Sequence, residues 1–220
     1  MARAEAVPPK KSVPVLLASE HAILRAGLRL LLDSDPRIRV AAEVCDGASL
    51  FLQLKQRPWS VLVTDLVLPD WDSLELLRQV RLRDRRPVVV YSATVGDYFS
   101  IRTLRAGAEG YVGRDSTPAQ LIEAILRVHD GQKYVSPERA KRLAGRFADG
   151  SRGFMHEELS DREFQVLCRL GSGSSIKDIG RMLSVSPKTV STYRSRLLTK
   201  MGLGNDAALI RYVTEHRLVF

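Results

Sequence analysis

The chain has 220 residues, 45% of them hydrophobic, enough for real cores in one or two domains. Its net charge is +9, of which +4 falls in residues 158–220 and +3 in 132–157, so most of the excess lies in the C-terminal part and suits a polyanionic partner there. Two cysteines, Cys45 and Cys168, exclude a disulfide framework or thiolate metal cage and read as buried free thiols of a cytoplasmic protein. No apolar run is long enough to cross a bilayer, so no membrane role is expected.

The first eleven residues, MARAEAVPPKK, lack the apolar stretch of a secretory signal and are expected to form a loose tail. From residue 13 onward, short Val-rich runs at 13–18, 40–44, 61–65, 88–92 and 110–112 alternate with helical patterns at 22–32, 48–56, 73–82, 98–106 and 118–129. Strands separated by helices need crossover connections, which predicts a doubly wound, five-stranded parallel α/β sheet.

In such a sheet the chemistry collects outside the carboxyl ends of the strands. Ser19 and Glu20 follow the first strand, Asp65 ends the third with Val67 just beyond, Ser92 ends the fourth, and Tyr111 leads from the fifth to Arg114. A nucleophilic carboxylate, a second carboxylate, a hydroxyl and a cation therefore meet at one edge. Singly, each is an ordinary solvated strand-end residue; together they suit phosphoryl acceptance on Asp65, with a divalent metal between Glu20 and Asp65.

Residues 12–131 resemble the receiver domain of response regulators, through VLLASEHAILRAGLRLLL, VLVTDLVLPDWDSLELLRQVR, VVVYSA and RAGAEGYVGRD. The resemblance implies a flavodoxin-like fold in which Asp65 takes a phosphoryl group from a partner histidine kinase with Mg2+. It implies Ser92 and Arg114 as contacts to that phosphate and Tyr111 as an aromatic that swings. Glu20, Asp65 and the backbone carbonyl of Val67 become the metal ligands. Three departures accompany it. Ser19 stands where one of two adjacent acids is usual, Glu20 replaces an Asp, and Arg114 replaces a Lys. These remove a charge from the metal site, lengthen a ligand, and put a planar fork where a point charge is usual. Two modes of control follow: phosphorylation of Asp65, or a phosphorylation-independent switch through dimerisation or another ligand.

Residues 132–157 read as a linker, with a short helix at 137–147 and a flexible Gly/Ser/Asp stretch at 148–153. That length lets the next domain dock or swing free. Arg139, Lys141, Arg142 and Arg146 read as a solvated face.

Residues 158–220 carry three helix starts. Ser160 with Glu163 has the form of a capping box, Ser175 with Asp178 repeats the spacing, and Ser186 precedes Pro187. Only residues 183–186 separate the second helix from the third, a helix-turn-helix spacing. On the third helix Val190, Tyr193, Leu197 and Met201 form an apolar stripe, while Lys188, Ser191, Thr192, Ser195 and Thr199 share another side, flanked by Arg194, Arg196 and Lys200. A polar face with basic flanks suits a major groove. A fourth helix is expected at 205–216.

This stretch resembles the LuxR-type helix-turn-helix of the NarL/FixJ class of bacterial response regulators, in LSDRE, GSSIKDIGRML and SPKTVSTYRSRLLTKMG. The resemblance implies an all-α four-helix domain with a scaffold helix at 176–183 and a recognition helix at 187–200. Ser191, Thr192 and Ser195 would face bases, and Lys177, Lys188, Arg194 and Arg196 would hold the backbone; Lys200, from its place on the flank, is read as a further phosphate contact. The fourth helix would pair two copies on double-stranded DNA.

The four histidines are scattered and suggest no metal constellation, and Gly171-Ser172-Gly173-Ser174-Ser175 lacks the Lys ending of a phosphate loop. The expectation is a cytoplasmic, homodimeric, non-enzymatic transcription regulator, in which the receiver controls binding to paired promoter half-sites. The alternative is a receiver-like adaptor that acts mainly through another regulator.

Overall fold

The computed structural model describes residues 12–56, 58–65, 68, 71, 73–92, 97–148, 154–216 and 218; Val67 and the 149–153 stretch lie outside them. The first domain alternates β1 (Val13–Ala18), α1 (Ala22–Asp33), β2 (Ile38–Val44), α2 (Gly47–Leu54), β3 (Val61–Thr64), α3 (Ser73–Arg83), β4 (Val88–Ser92), α4 (Asp97–Arg105), β5 (Gly110–Gly113) and α5 (Pro118–His129). All ladders are parallel, in the order β2-β1-β3-β4-β5-β6. Alternation along β1 divides its side chains between two cores. Val13, Val15 and Leu17 pack with α1 and α5 through Leu28, Leu32, Leu121 and Ile125, while Leu16 and Ala18 join Leu50, Leu76, Val80 and Phe99 of α2, α3 and α4.

The sheet has six strands rather than five. The sixth, β6 (Tyr134–Val135), lies in the expected linker and pairs with β5, Gly110 opposite Tyr134 and Tyr111 opposite Val135. A two-residue strand carries too little alternation to register as a period in sequence. The linker helix, α6 (Pro137–Ala148), follows at once.

A 3-10 turn, Met155–Glu158, leads into α7 (Asp161–Gly171), α8 (Ile176–Met182), α9 (Pro187–Lys200) and α10 (Asp206–Glu215). Each helix start is closed by its own side chain. Ser160 and Glu163 form the full capping box, and Ser175, Ser186 and Asn205 accept from the N–H groups of Asp178, Thr189 and Ala208 at 3.1, 3.1 and 2.9 Å. The α8–α9 turn is tight. Ser184 takes a positive φ of 54°, and a Cβ on Gly180 would stand 2.9 Å from the Val185 carbonyl oxygen.

The second domain is docked on the first. Phe99 of α4 meets Phe164 of α7 at 5.9 Å between ring centroids, which makes one apolar core continuous across both. Arg102, 5% exposed, lies over the Phe164 ring, donates to Asp161 Oδ1 at 2.6 Å and also donates to the Leu159 carbonyl. Arg78 of α3 pairs with the other oxygen of Asp161.

Candidate functional site

Strand order reverses between β1 and β3, and the candidate residues gather outside the ends of those strands. Asp65 is 5% exposed, and its N–H donates to the Ala18 carbonyl at 2.9 Å, which fixes the carboxylate beside the end of β1. Arg114 follows β5, its N–H donating to the Ser92 carbonyl at 2.9 Å, and its guanidinium forms an ion pair with Asp65. Ser92 and Tyr111 are buried beside this pair. Burial pushes the Tyr111 hydroxyl above its ordinary value of 10.0, against the pull of the Arg139 charge and of hydrogen bonding to Ser92 and Arg139. The site thus joins Asp65 to Arg114 and Ser92 to Tyr111.

Among the described residues the donor set is one charged ligand short of the usual Mg2+ site. Ser19 is 1% exposed and its hydroxyl has no hydrogen-bond partner, so a neutral orphan occupies the place of a charged ligand. Glu20 turns toward His21, 3.8 Å away, and a guanidinium already sits on Asp65. Among the described residues no three His, Cys, Asp or Glu side chains converge on a metal position. Val67 lies outside them.

Arg139 departs from its expected place. Expected on a solvated face, it is 3% exposed, with its guanidinium 4.8 Å from the centre of the Tyr111 ring. Cys45 is exposed rather than buried, whereas Cys168 is buried as expected. Two of the four histidines do come together. Buried His156 bonds the Tyr212 hydroxyl through Nδ1 at 2.8 Å, and the His216 ring lies 6.0 Å from that of His156.

The expected nucleic-acid face lies on α9. Val190 and Leu197 are buried and Met201 follows them into the core, while Lys188, Ser191, Thr192, Ser195, Arg196 and Thr199 are exposed on the docked molecule. The receiver grips α7 and leaves this row open. Ser191 and Thr192 donate their hydroxyls to the carbonyls of Pro187 and Lys188, both at 3.0 Å, and so present lone pairs outward. The expected backbone-holding cations divide into two groups. Lys177, Lys188 and Arg196 are exposed. Arg194 is tied to Asp206 and Lys200 to Glu163, each at 2.7 Å. Burial alone would raise the Glu163 carboxyl, but Lys200 and the Ser160 N–H and hydroxyl outweigh it and hold the group below its ordinary 4.5.

A parallel sheet with strand-end Asp, Ser and Arg, joined to a capped helix-turn-helix, defines a two-domain regulator. Residues 15–126 match the family described as response regulator receiver domain, and residues 157–213 match the bacterial regulatory proteins of the luxR family. The chain belongs to the response regulators that carry a LuxR-type DNA-binding domain, a family of transcription regulators. Transcriptional regulatory protein UhpA of Salmonella typhimurium is 34% identical over 197 residues, 90% of this chain and 95% of its own. Response regulator UvrY of Escherichia coli is 28% identical over 209 residues, 94% of this chain and 95% of its own. RcsB of Salmonella enterica serovar Typhimurium, bound to promoter P1flhDC with the phosphomimetic BeF3-, superposes with a TM-score of 0.75 at 25% identity, covering 93% of this chain and 100% of that one. No helix among the described residues is long and apolar enough to cross a membrane.

Proposed function

We propose that this response regulator acts in the cytoplasm, by binding rather than turnover, as a homodimer on paired promoter half-sites. The observation that carries this reading is the open α9 face: the receiver holds α7 through Asp161 while Ser191, Thr192 and Ser195 remain exposed. Those three residues meet base edges, and Lys177, Lys188 and Arg196 meet phosphates. Arg194 and Lys200 brace the domain and add charge at its rim. Two-fold pairing sets the recognition helices roughly 34 Å apart, one turn of duplex. RcsB structures that hold dimers on DNA support the same assembly. Replacing Ser191, Thr192 and Ser195 together with Glu should abolish footprinting on a site selected from random duplexes by the parent chain. Undiminished protection would remove α9 from the interface.

Within this reading the working divisions are a tail at 1–11, a receiver at 12–131, a linker at 132–157 and a reader at 158–220. Control by the receiver is phosphorylation-independent: the Asp65–Arg114 pair neutralises the carboxylate internally and Ser19 removes a metal ligand. A second reading is favoured by the clustering of Asp65, Ser92 and Tyr111, in which a histidine kinase delivers a phosphoryl group to Asp65. Incubation with acetyl phosphate and Mg2+, followed by intact-mass measurement, separates the two. An added phosphoryl group lost in Asp65→Asn selects the second reading; no gain beside normal DNA binding selects the first.

A further inference from the structure

Of the α6 side chains described, Arg139 alone is buried. Removing a guanidinium from water is costly unless its charge and donors are matched, so such a placement needs a partner. One partner is Tyr111, and the Asp115 carboxylate lies on the same side of Gly113 as the guanidinium. The Arg139 guanidinium lies over the Tyr111 ring at 4.8 Å. Its Nη2 fits against Gly113 so closely that a Cβ there would stand 3.1 Å away. The Tyr111 hydroxyl, fully buried, hydrogen-bonds both Arg139 and Ser92.

The start of α6 is held on the receiver by other means too. Val135 pairs with Tyr111 across the β5–β6 ladder, the Tyr134 N–H donates to the Glu109 carbonyl at 2.8 Å, and Gln120 of α5 donates to Glu138 at 3.2 Å. The Ser136 hydroxyl accepts from the Arg139 N–H at 3.4 Å, and α6 runs beside α4, the helix that carries Arg102 to the reader. The Arg139 guanidinium reaches from α6 to the hydroxyl of the switch tyrosine.

We propose that Arg139 is a positioning residue that transmits the state of Ser92 and Tyr111 into the linker helix. If Ser92 turns toward Asp65, or Tyr111 leaves its pocket, Arg139 loses a partner inside the protein and the first turn of α6 must shift to match the charge again. Conversely, a shift of α6 draws Tyr111 from Ser92. The inference rests on the reading that the receiver controls the reader, and it holds with or without phosphorylation of Asp65.

The test is a cycle in the full-length chain: parent, Tyr111→Phe, Arg139→Gln, Arg139→Lys and the Tyr111→Phe/Arg139→Gln pair. Hydrogen exchange is followed by mass spectrometry for peptides covering 134–148, with peptides of β1 and β3 as the control for folding. Tyr111→Phe should speed exchange in 134–148 about fivefold in the parent, and less than twofold when Arg139 is already Gln. Arg139→Lys should recover at least half of the parent protection. Equal effects of Tyr111→Phe in both backgrounds, or parent-like exchange in Arg139→Gln, would overturn the proposal. Should Arg139→Gln speed exchange in β1 and β3 as well, the comparison moves to Tyr111→Phe in the parent and in Arg139→Lys, where equal effects again count against it. Duplex affinity of the same variants keeps the two readings apart. If the parent selects no specific duplex, the proposed function fails while the exchange cycle still decides Arg139. If the cycle is additive yet duplex affinity responds to Tyr111→Phe, control of the reader stands and its route runs elsewhere.

Discussion

Glu163 shows how one side chain can serve two structures. It closes the capping box of α7 with Ser160 and holds Lys200 at the far end of α9. Its depressed pKa means that folding favours the ionised form. The stabilisation is therefore complete above about pH 4.5 and is lost as pH falls through the lower folded value. Glu163→Gln should cost about 1–3 kcal/mol near neutrality, the scale of a charge-assisted hydrogen bond. It should also flatten the acid limb of the stability curve below about pH 4.5, read by urea denaturation across that range. An acid limb as steep as the parent's would mean that other carboxylates dominate. At this scale legibility follows sequence distance. Ser160, Ser175 and Ser186 could be read as caps because donor and acceptor lie three residues apart. The burial of Arg139 could not be read, because Tyr111 lies far back along the chain on β5; the local pattern offers a Ser three residues ahead of it.

At the scale of elements, the turn between α8 and α9 fixes how the reading helix is presented. Gly180 packs under Val185, and a methyl group at 180 would press on backbone rather than on a yielding side chain. Gly180→Ala is expected to destabilise the reader by about 1–3 kcal/mol, as overpacking does, and to lower the midpoint of its thermal transition. An unchanged midpoint would show that the turn can open at no cost. The strands at 13–18 and 88–92 were legible to the residue because buried parallel strands read as continuous Val and Leu runs between polar turns. The sheet's last strand was not: Tyr134–Val135 is defined by its pairing with β5 and not by its own pattern.

At the scale of the whole molecule, one carboxylate and two guanidiniums join the domains. Asp161 receives Arg78 and Arg102 from separate receiver helices, and its partners lie too far along the chain for any local pattern to announce them. Asp161→Ala leaves the nearly buried Arg102 without its counter-ion, so the docked arrangement should loosen, and solution X-ray scattering should report a larger radius of gyration. A radius equal to the parent's would assign the docking to the Phe99–Phe164 contact and to the remaining contacts of Arg102 with Phe164 and the Leu159 carbonyl. The charge map also predicts how binding responds to salt. Lys177, Lys188 and Arg196 of two chains give six phosphate contacts in a dimer, and log K against log salt should fall with a slope of about −5. A slope of about −9 would mean that Arg194 and Lys200 abandon Asp206 and Glu163 for the duplex.

Asp161 and Glu163 sit in the same turn of α7, one gripped by the receiver and the other by the end of α9. The reading helix therefore hangs from the very pivot that the receiver holds. A push delivered from α3 and α4 through Arg78 and Arg102 would reach α9 as a crank's turn reaches its arm, through a single turn of α7.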